Sequence, residues 1–146
     1  MMKLLIPKQQ WKKPKTKVAD YILWMEQNGK NLENLRRIRE ECERKGHQVS
    51  LSSLDEFETL ELDVEQMYYV DDFYKLSSSR VIRESSIGPI PFSEIYSFLK
   101  LDLSLIDVDV DTYVEIILAI DNKYRDYHNT KIKQELDRLK NKSRKH

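Results

Sequence analysis

The chain has 146 residues, of which 40% are hydrophobic and 34% charged, with 25 basic and 25 acidic side chains but only three glycines and four prolines. That length suits one domain with tails, and so few turn formers exclude the strand-and-turn repetition of sandwiches and barrels. The single cysteine, Cys42, excludes an internal disulfide, and no apolar run reaches the roughly 18 residues of a membrane span.

Zero net charge conceals a polarity along the chain. Residues 1–17 carry six lysines and no acid, and residues 131–146 carry seven Lys or Arg against Glu135 and Asp137. The ends are therefore +6 and +5, which leaves −11 on residues 18–130. Residues 1–17 also lack the apolar core of a signal peptide, so the expected setting is the reducing cytoplasm.

In chain order, a basic arm over residues 1–15 leads into a helix from Thr16, as N-cap, to Asn28, with Asn28-Gly29 as a left-handed stop and Tyr21, Trp24 and Met25 inward. A second helix lies between Asn31 and Gly46, where Leu32, Leu35, Ile38 and Cys42 recur at helical spacing. Its other face carries Glu33–Arg37, Glu40–Arg44 and Glu41–Lys45 pairs in the favourable i, i+4 order. Ser53 and Glu56 have capping-box spacing at the head of a short acidic helix, and Asp63 and Gln66 offer a second start. The next apolar stripe is Val64, Met67, Val70 and Tyr74. Ser77–Ser79 reads as a hinge, dividing a helical half over residues 16–76 from a linker over 77–90 and a second helical half over 91–146.

Gly88-Pro89-Ile90-Pro91 holds the chain extended, and Pro91 suits a helix start whose buried face is Phe92, Ile95, Phe98 and Leu99. Asp109 or Asp111 then opens the longest periodic segment, with Val110, Tyr113, Ile117, Ile120, Tyr124 and Tyr127 alternating by three and four. The pattern drifts on through His128, Ile132, Leu136 and Leu139, so one helix of nearly 30 residues is expected, its basic end projecting. The predicted fold is all-α, an irregular helical bundle with a long C-terminal helix and basic terminal arms.

No catalytic or metal-binding constellation emerges. Asp107, Asp109 and Asp111 match the first ligand positions of an EF-hand loop, but Thr112 stands where glycine must make the turn and Leu118 where a bidentate glutamate must close it. Cys42 lies on an apolar stripe beside Glu40, Glu41 and Glu43, which oppose a thiolate. His47, His128 and His146 are too scattered for zinc, and no glycine-rich loop is present to hold a phosphate. No enzyme activity and no cofactor are expected.

The sequence Gly88-Pro89-Ile90-Pro91-Phe92, followed by a helix and then by Ile116-Ile117-Leu118-Ala119-Ile120-Asp121 with Tyr124, resembles a pattern in small tailed-phage tail-assembly proteins of a chaperone-like kind. The likeness covers about residues 80–128; Phe92 stands where the pattern more often has Trp, and residues 1–79 match nothing in it. It implies a protein that binds other protein chains, tail or tape-measure components among them, in an infected host cell or on the virion. Pro91, Phe92, Asp121 and Tyr124 of this pattern, with Tyr127, whose hydroxyl like that of Tyr124 is placed on the long stripe to reach a rim or partner, are the candidate partner-binding residues, and homo-oligomer formation is compatible with it. The alternative function is a nucleic-acid-binding regulator using the basic ends, through Lys12, Lys13, Lys15, Lys140, Lys142, Arg144 and Lys145, because such charges neutralise phosphates.

Overall fold

A computed structural model describes residues 4–5, 14–48, 51–101 and 103–144. The fold is all-α, as the sequence predicts. In order it runs β1 (Leu4–Leu5), α1 (Pro14–Asn28), α2 (Leu32–Arg44), α3 (Ser52–Thr59), α4 (Val64–Ser77), α5 (Phe92–Lys100), β2 (Ile106–Asp107) and α6 (Val110–Arg144). The two-residue strands are unexpected: they pair in parallel, Leu4 opposite Ile106 and Leu5 opposite Asp107. Part of the stretch read as a basic arm is thereby tied to the loop that precedes α6.

Helix α1 begins at Pro14 and not after a Thr16 cap, since proline at a first helical position loses no hydrogen bond. Val18, Ala19 and Ile22 are its deepest residues, set against α4 and α6. Trp24 is buried on another flank, where its ring stacks on Phe57 at 4.1 Å and Nε1 donates to the Ser53 carbonyl at 2.9 Å. That one side chain thus fastens α3 to α1, while Tyr21 and Met25 are only half-buried.

The left-handed stop falls one helix later than Asn28-Gly29. A 3-10 turn over Gly29–Asn31 passes the chain directly into α2, which ends at Gly46 with φ of 74°. His47 N–H donates to the Cys42 carbonyl and Gly46 N–H to that of Glu43, the paired bonds of a Schellman stop. Contrary to the periodicity, α2 buries none of its residues, and Ile38 is 37% exposed. Leu32, Leu35 and Cys42 are half-buried, and Arg39 spans to Asp55 and Glu58 of α3.

Of the two capping boxes, the one at Asp63 and Gln66 forms and the one at Ser53 and Glu56 does not, because α3 has already started at Ser52. Asp63 Oδ1 accepts the Gln66 N–H at 2.8 Å, and Gln66 Oε1 accepts the Asp63 N–H at 3.0 Å. Asp63→Ala should cost about 1 kcal/mol of unfolding free energy, measured by urea titration, because the Gln66 N–H loses its side-chain acceptor, although the N–H of residue 63 keeps Gln66 Oε1. A stability unchanged within error would mean that water replaces the box.

The inward face of α4 is rotated from the expected one. Gln66, Tyr69, Val70, Asp72, Phe73 and Leu76 are buried, whereas Val64 is 63% and Tyr74 40% exposed. Both stripes satisfy helical spacing, and the one carrying two large aromatics inward removes more apolar area from water. In α5, Ile95 and Phe98 are buried and Leu99 partly so, but Phe92 points outward beside Tyr96. Pro91 itself is the extended N-cap, not the first helical residue.

Helix α6 is the spine. Asp109 caps it, its two oxygens taking the Thr112 N–H and hydroxyl at 2.9 Å each, which gives the Asp-rich loop a structural use. Tyr113, Val114, Ile116, Ile117, Ile120 and Asp121 are buried, and Tyr124, Tyr127 and His128 are half-buried. From Lys133 to Arg144 every residue is exposed. One hydrophobic cluster takes residues from α1, α4, α5, β2 and α6, so the two helical halves separated at 77–90 share a core.

Candidate functional site

The most densely bonded polar site lies where the 80–90 segment crosses α6. Asp121 is wholly buried, and its carboxylate accepts Arg80 Nη2 at 2.6 Å, Arg125 Nε at 3.0 Å and the Ile90 backbone N–H at 3.3 Å. Arg80, also buried, spends its remaining fork on the Gly88 carbonyl at 3.0 Å and on Ser77 Oγ at 2.9 Å. Its guanidinium lies 4.9 Å from the Tyr124 ring centre and 5.8 Å from that of Phe73. Planar geometry and weak hydration suit arginine to this combined stacking and forked bonding.

One helical turn further on, Asn129 Oδ1 accepts the Ile87 N–H at 2.8 Å and its Nδ2 donates to the Ile87 carbonyl at 3.4 Å. Positions 121, 125 and 129 therefore form one ridge of α6, four residues apart, facing the 80–90 segment. The segment folds back on itself through an Ile82–Ile87 bridge and a 2.7 Å bond from Gly88 N–H to the Val81 carbonyl. A side chain at Gly88 would meet that carbonyl at 3.0 Å, which is why glycine stands there. Residues 77–90, expected as a linker, are in fact clamped.

Two smaller polar sets flank the clamp. Buried Asp72 accepts the Tyr113 hydroxyl at 2.8 Å, and the Tyr113 ring lies 5.5 Å from that of Tyr69. Burial pushes the Asp72 carboxyl above its ordinary value of 3.8, against the opposing hydrogen bonds of Tyr113 and Ser104, and burial likewise raises both tyrosine hydroxyls. In the second set, Glu26 accepts the Tyr74 hydroxyl at 3.2 Å, while His128 Nε2 lies 3.4 Å from its second oxygen without hydrogen-bond alignment.

A folded carboxyl raised above its unfolded value favours the protonated form. Its contribution to stability is therefore full below the ordinary aspartate range and is lost as pH rises through the higher folded value. Asp72→Asn keeps an acceptor for Tyr113 without the buried charge. It should be more stable than the parent at pH 7, with the difference shrinking as pH falls toward the aspartate range, as urea titrations at several pH values would read. A variant less stable than the parent at every pH would show that the ionised oxygens themselves hold this site.

Of the residues proposed to bind a partner, Asp121 is closed to solvent and engaged within the chain, so it is no surface contact. Pro91 and Tyr124 are half-buried at the clamp, Phe92 is 55% exposed, and Tyr127 lines a shallow depression between α1 and α6 with Leu23, Lys123, Asp126 and Lys131. Lys140, Lys142 and Arg144 stand exposed on the end of α6. Lys12, Lys13 and Lys145 lie outside the described residues; Lys15 belongs to α1, but its side chain is not among those described.

Arg80, Arg125 and Asn129 were not singled out from the sequence. The i, i+4, i+8 spacing of Asp121, Arg125 and Asn129 was the available signal. Among the described residues no group of three or more His, Cys, Asp or Glu could hold a metal ion, and no helix is long and apolar enough to cross a membrane.

The fold and site define a helical protein with a pinned crossover segment and a free basic helix end. Comparison with protein-family models, with curated proteins and with solved structures gives no match.

Proposed function

We propose that the chain is a non-enzymatic accessory protein of phage tail assembly that acts by binding other protein chains in the infected host cell. The observation that supports it is the convergence of the residues behind the tail-protein resemblance. Gly88, Ile90, Asp121 and Tyr124 meet in one bonded cluster around Arg80, although some thirty residues separate the two halves of the pattern. A sequence pattern that encodes a clamp is a scaffold signature, and it leaves Phe92 and the depression at Tyr127 as outward-facing contacts. Co-expression with the proteins of a tail gene cluster, the tape-measure protein included, should give a complex that survives purification, and Phe92→Ala should weaken it. Failure to co-purify with any of them in repeated trials would remove the proposal.

A second function is nucleic-acid binding, favoured by the exposed Lys140, Lys142 and Arg144. It requires retardation of DNA or RNA in a low-salt gel, lost steeply as salt is raised.

A further inference from the structure

The last turns of α6 carry a face that nothing among the described residues covers. Ile132 is half-buried where the helix leaves the body, and Leu136 and Leu139 follow at 38% and 49% exposure, so the three form a stripe spaced by four and three. Lys133, Lys140 and Arg144 project along one side of this stripe and Lys131 and Lys142 along the other, as the 100° advance per residue of an α-helix requires. Over residues 131–144 six cations face two acids, one of which, Glu135, is held by Arg138 at 2.5 Å.

A helix end of this length has little stability of its own in water. Its apolar stripe between cationic rims is suited to a surface with an apolar strip and acidic rims. The segment that carries α3 and α4 offers the matching charge and some exposed apolar area. Of the eight acids in residues 54–76, Asp72 is buried and Asp55 and Glu58 are taken by Arg39, but Glu56, Glu61 and Asp71 are exposed, and α4 adds exposed Val64 and half-buried Tyr68. The end of α6 cannot reach this surface in its own chain, because it is the rigid continuation of a helix that runs unbroken from Val110 to Arg144. Two α6 ends cannot satisfy each other either, since each would bring a net +4 to the contact.

We infer that the basic end of α6 docks on the acidic α3–α4 face of a second copy of this chain. The contact is about 20 Å long, from the helical rise, and one helix wide, which is small for a lasting interface. Ionic strength therefore governs it, because screening acts strongly on exposed charges of this kind. Nucleic acid would use the same lysines but would leave the Ile132–Leu139 stripe exposed to water, so a protein surface is the better occupant.

Sedimentation velocity on nuclease-treated full-length protein tests this. At low salt the protein should sediment as dimers or larger species at micromolar concentration, and return to monomer when salt is raised. The triple variant K133E/K140E/K142E, confined to exposed positions outside the core, should be monomeric at low salt with unchanged circular dichroism and thermal midpoint. So should Leu136→Ser/Leu139→Ser. A second triple variant, E56K/E61K/D71K, should be monomeric alone and should form a mixed complex with the first when the two are combined. A parent that is monomeric at low salt, an association indifferent to these reversals, or one that vanishes with nuclease treatment would overturn the inference. None of these outcomes depends on tail proteins, so the test is separable from that of the proposed function.

Discussion

Asp121→Ala should lower the unfolding free energy by about 3–5 kcal/mol, a large part of the roughly 5–15 kcal/mol that stabilises a domain. Removing the carboxylate leaves Arg80 buried between Phe73 and Tyr124 with no counter-charge, and leaves the Ile90 N–H without its acceptor. Arg125, partly exposed, can turn to water, so the cost falls mainly on Arg80. Arg80→Ala should be comparably damaging, because it strands Asp121 in turn. Replacing both by apolar residues, as in Arg80→Met/Asp121→Leu, should cost much less than the sum of the single losses, since the desolvation of both ions is then relieved. Urea unfolding of the four proteins measures the non-additivity. Amide exchange at Ile87 and Ile90 should meanwhile accelerate in the single variants, as the 80–90 segment loses its pin. A loss below about 1 kcal/mol for Asp121→Ala would mean that the ion pair breaks even against its own desolvation and that packing alone holds the crossover.

How far the sequence announced this structure varies with the kind of signal. The long α6 was legible because its apolar positions persist through many turns, and a periodic signal of that length has no strand alternative. The exposed distal end was legible for the same reason: the stripe outlasts any core that 146 residues can build. In α4 two stripes of equal periodicity competed, and spacing alone could not rank them; ring size did, through Tyr69 and Phe73. Periodicity misled at α2, where a clean stripe of Leu32, Leu35, Ile38 and Cys42 buries none of its members. An amphipathic pattern states what a helix could cover, not whether the rest of the chain reaches it. The clamp was half legible. The resemblance marked Gly88, Ile90, Asp121 and Tyr124, but Arg80 sits in a serine-rich stretch that reads as a loose hinge, and only the fold brings it across 41 positions to Asp121. The β1–β2 pair is a contact between distant dipeptides, too short for alternation to register.

Phe73→Ala is the second change expected to be severe, at about 3–5 kcal/mol, for a reason distinct from charge. The ring is fully buried, meets Tyr124 edge-on at 5.2 Å, and forms one wall of the pocket that holds Arg80. Truncation leaves a cavity at the meeting of α4, α6 and the crossover segment, and water entering it would compete for the guanidinium. Coupling to the ion pair follows. In a double-mutant cycle with Arg80→Met, the two losses should differ from additivity by about 0.5–3 kcal/mol, since the residues share a contact. Leu139→Ala, at 49% exposure on the α6 end, should by contrast change stability by no more than about 0.5 kcal/mol. That separation bears on the whole molecule. If both substitutions were equally costly, the end of α6 would belong to the cooperative core; if only Phe73→Ala is, the helix has one half that builds the fold and another left for association.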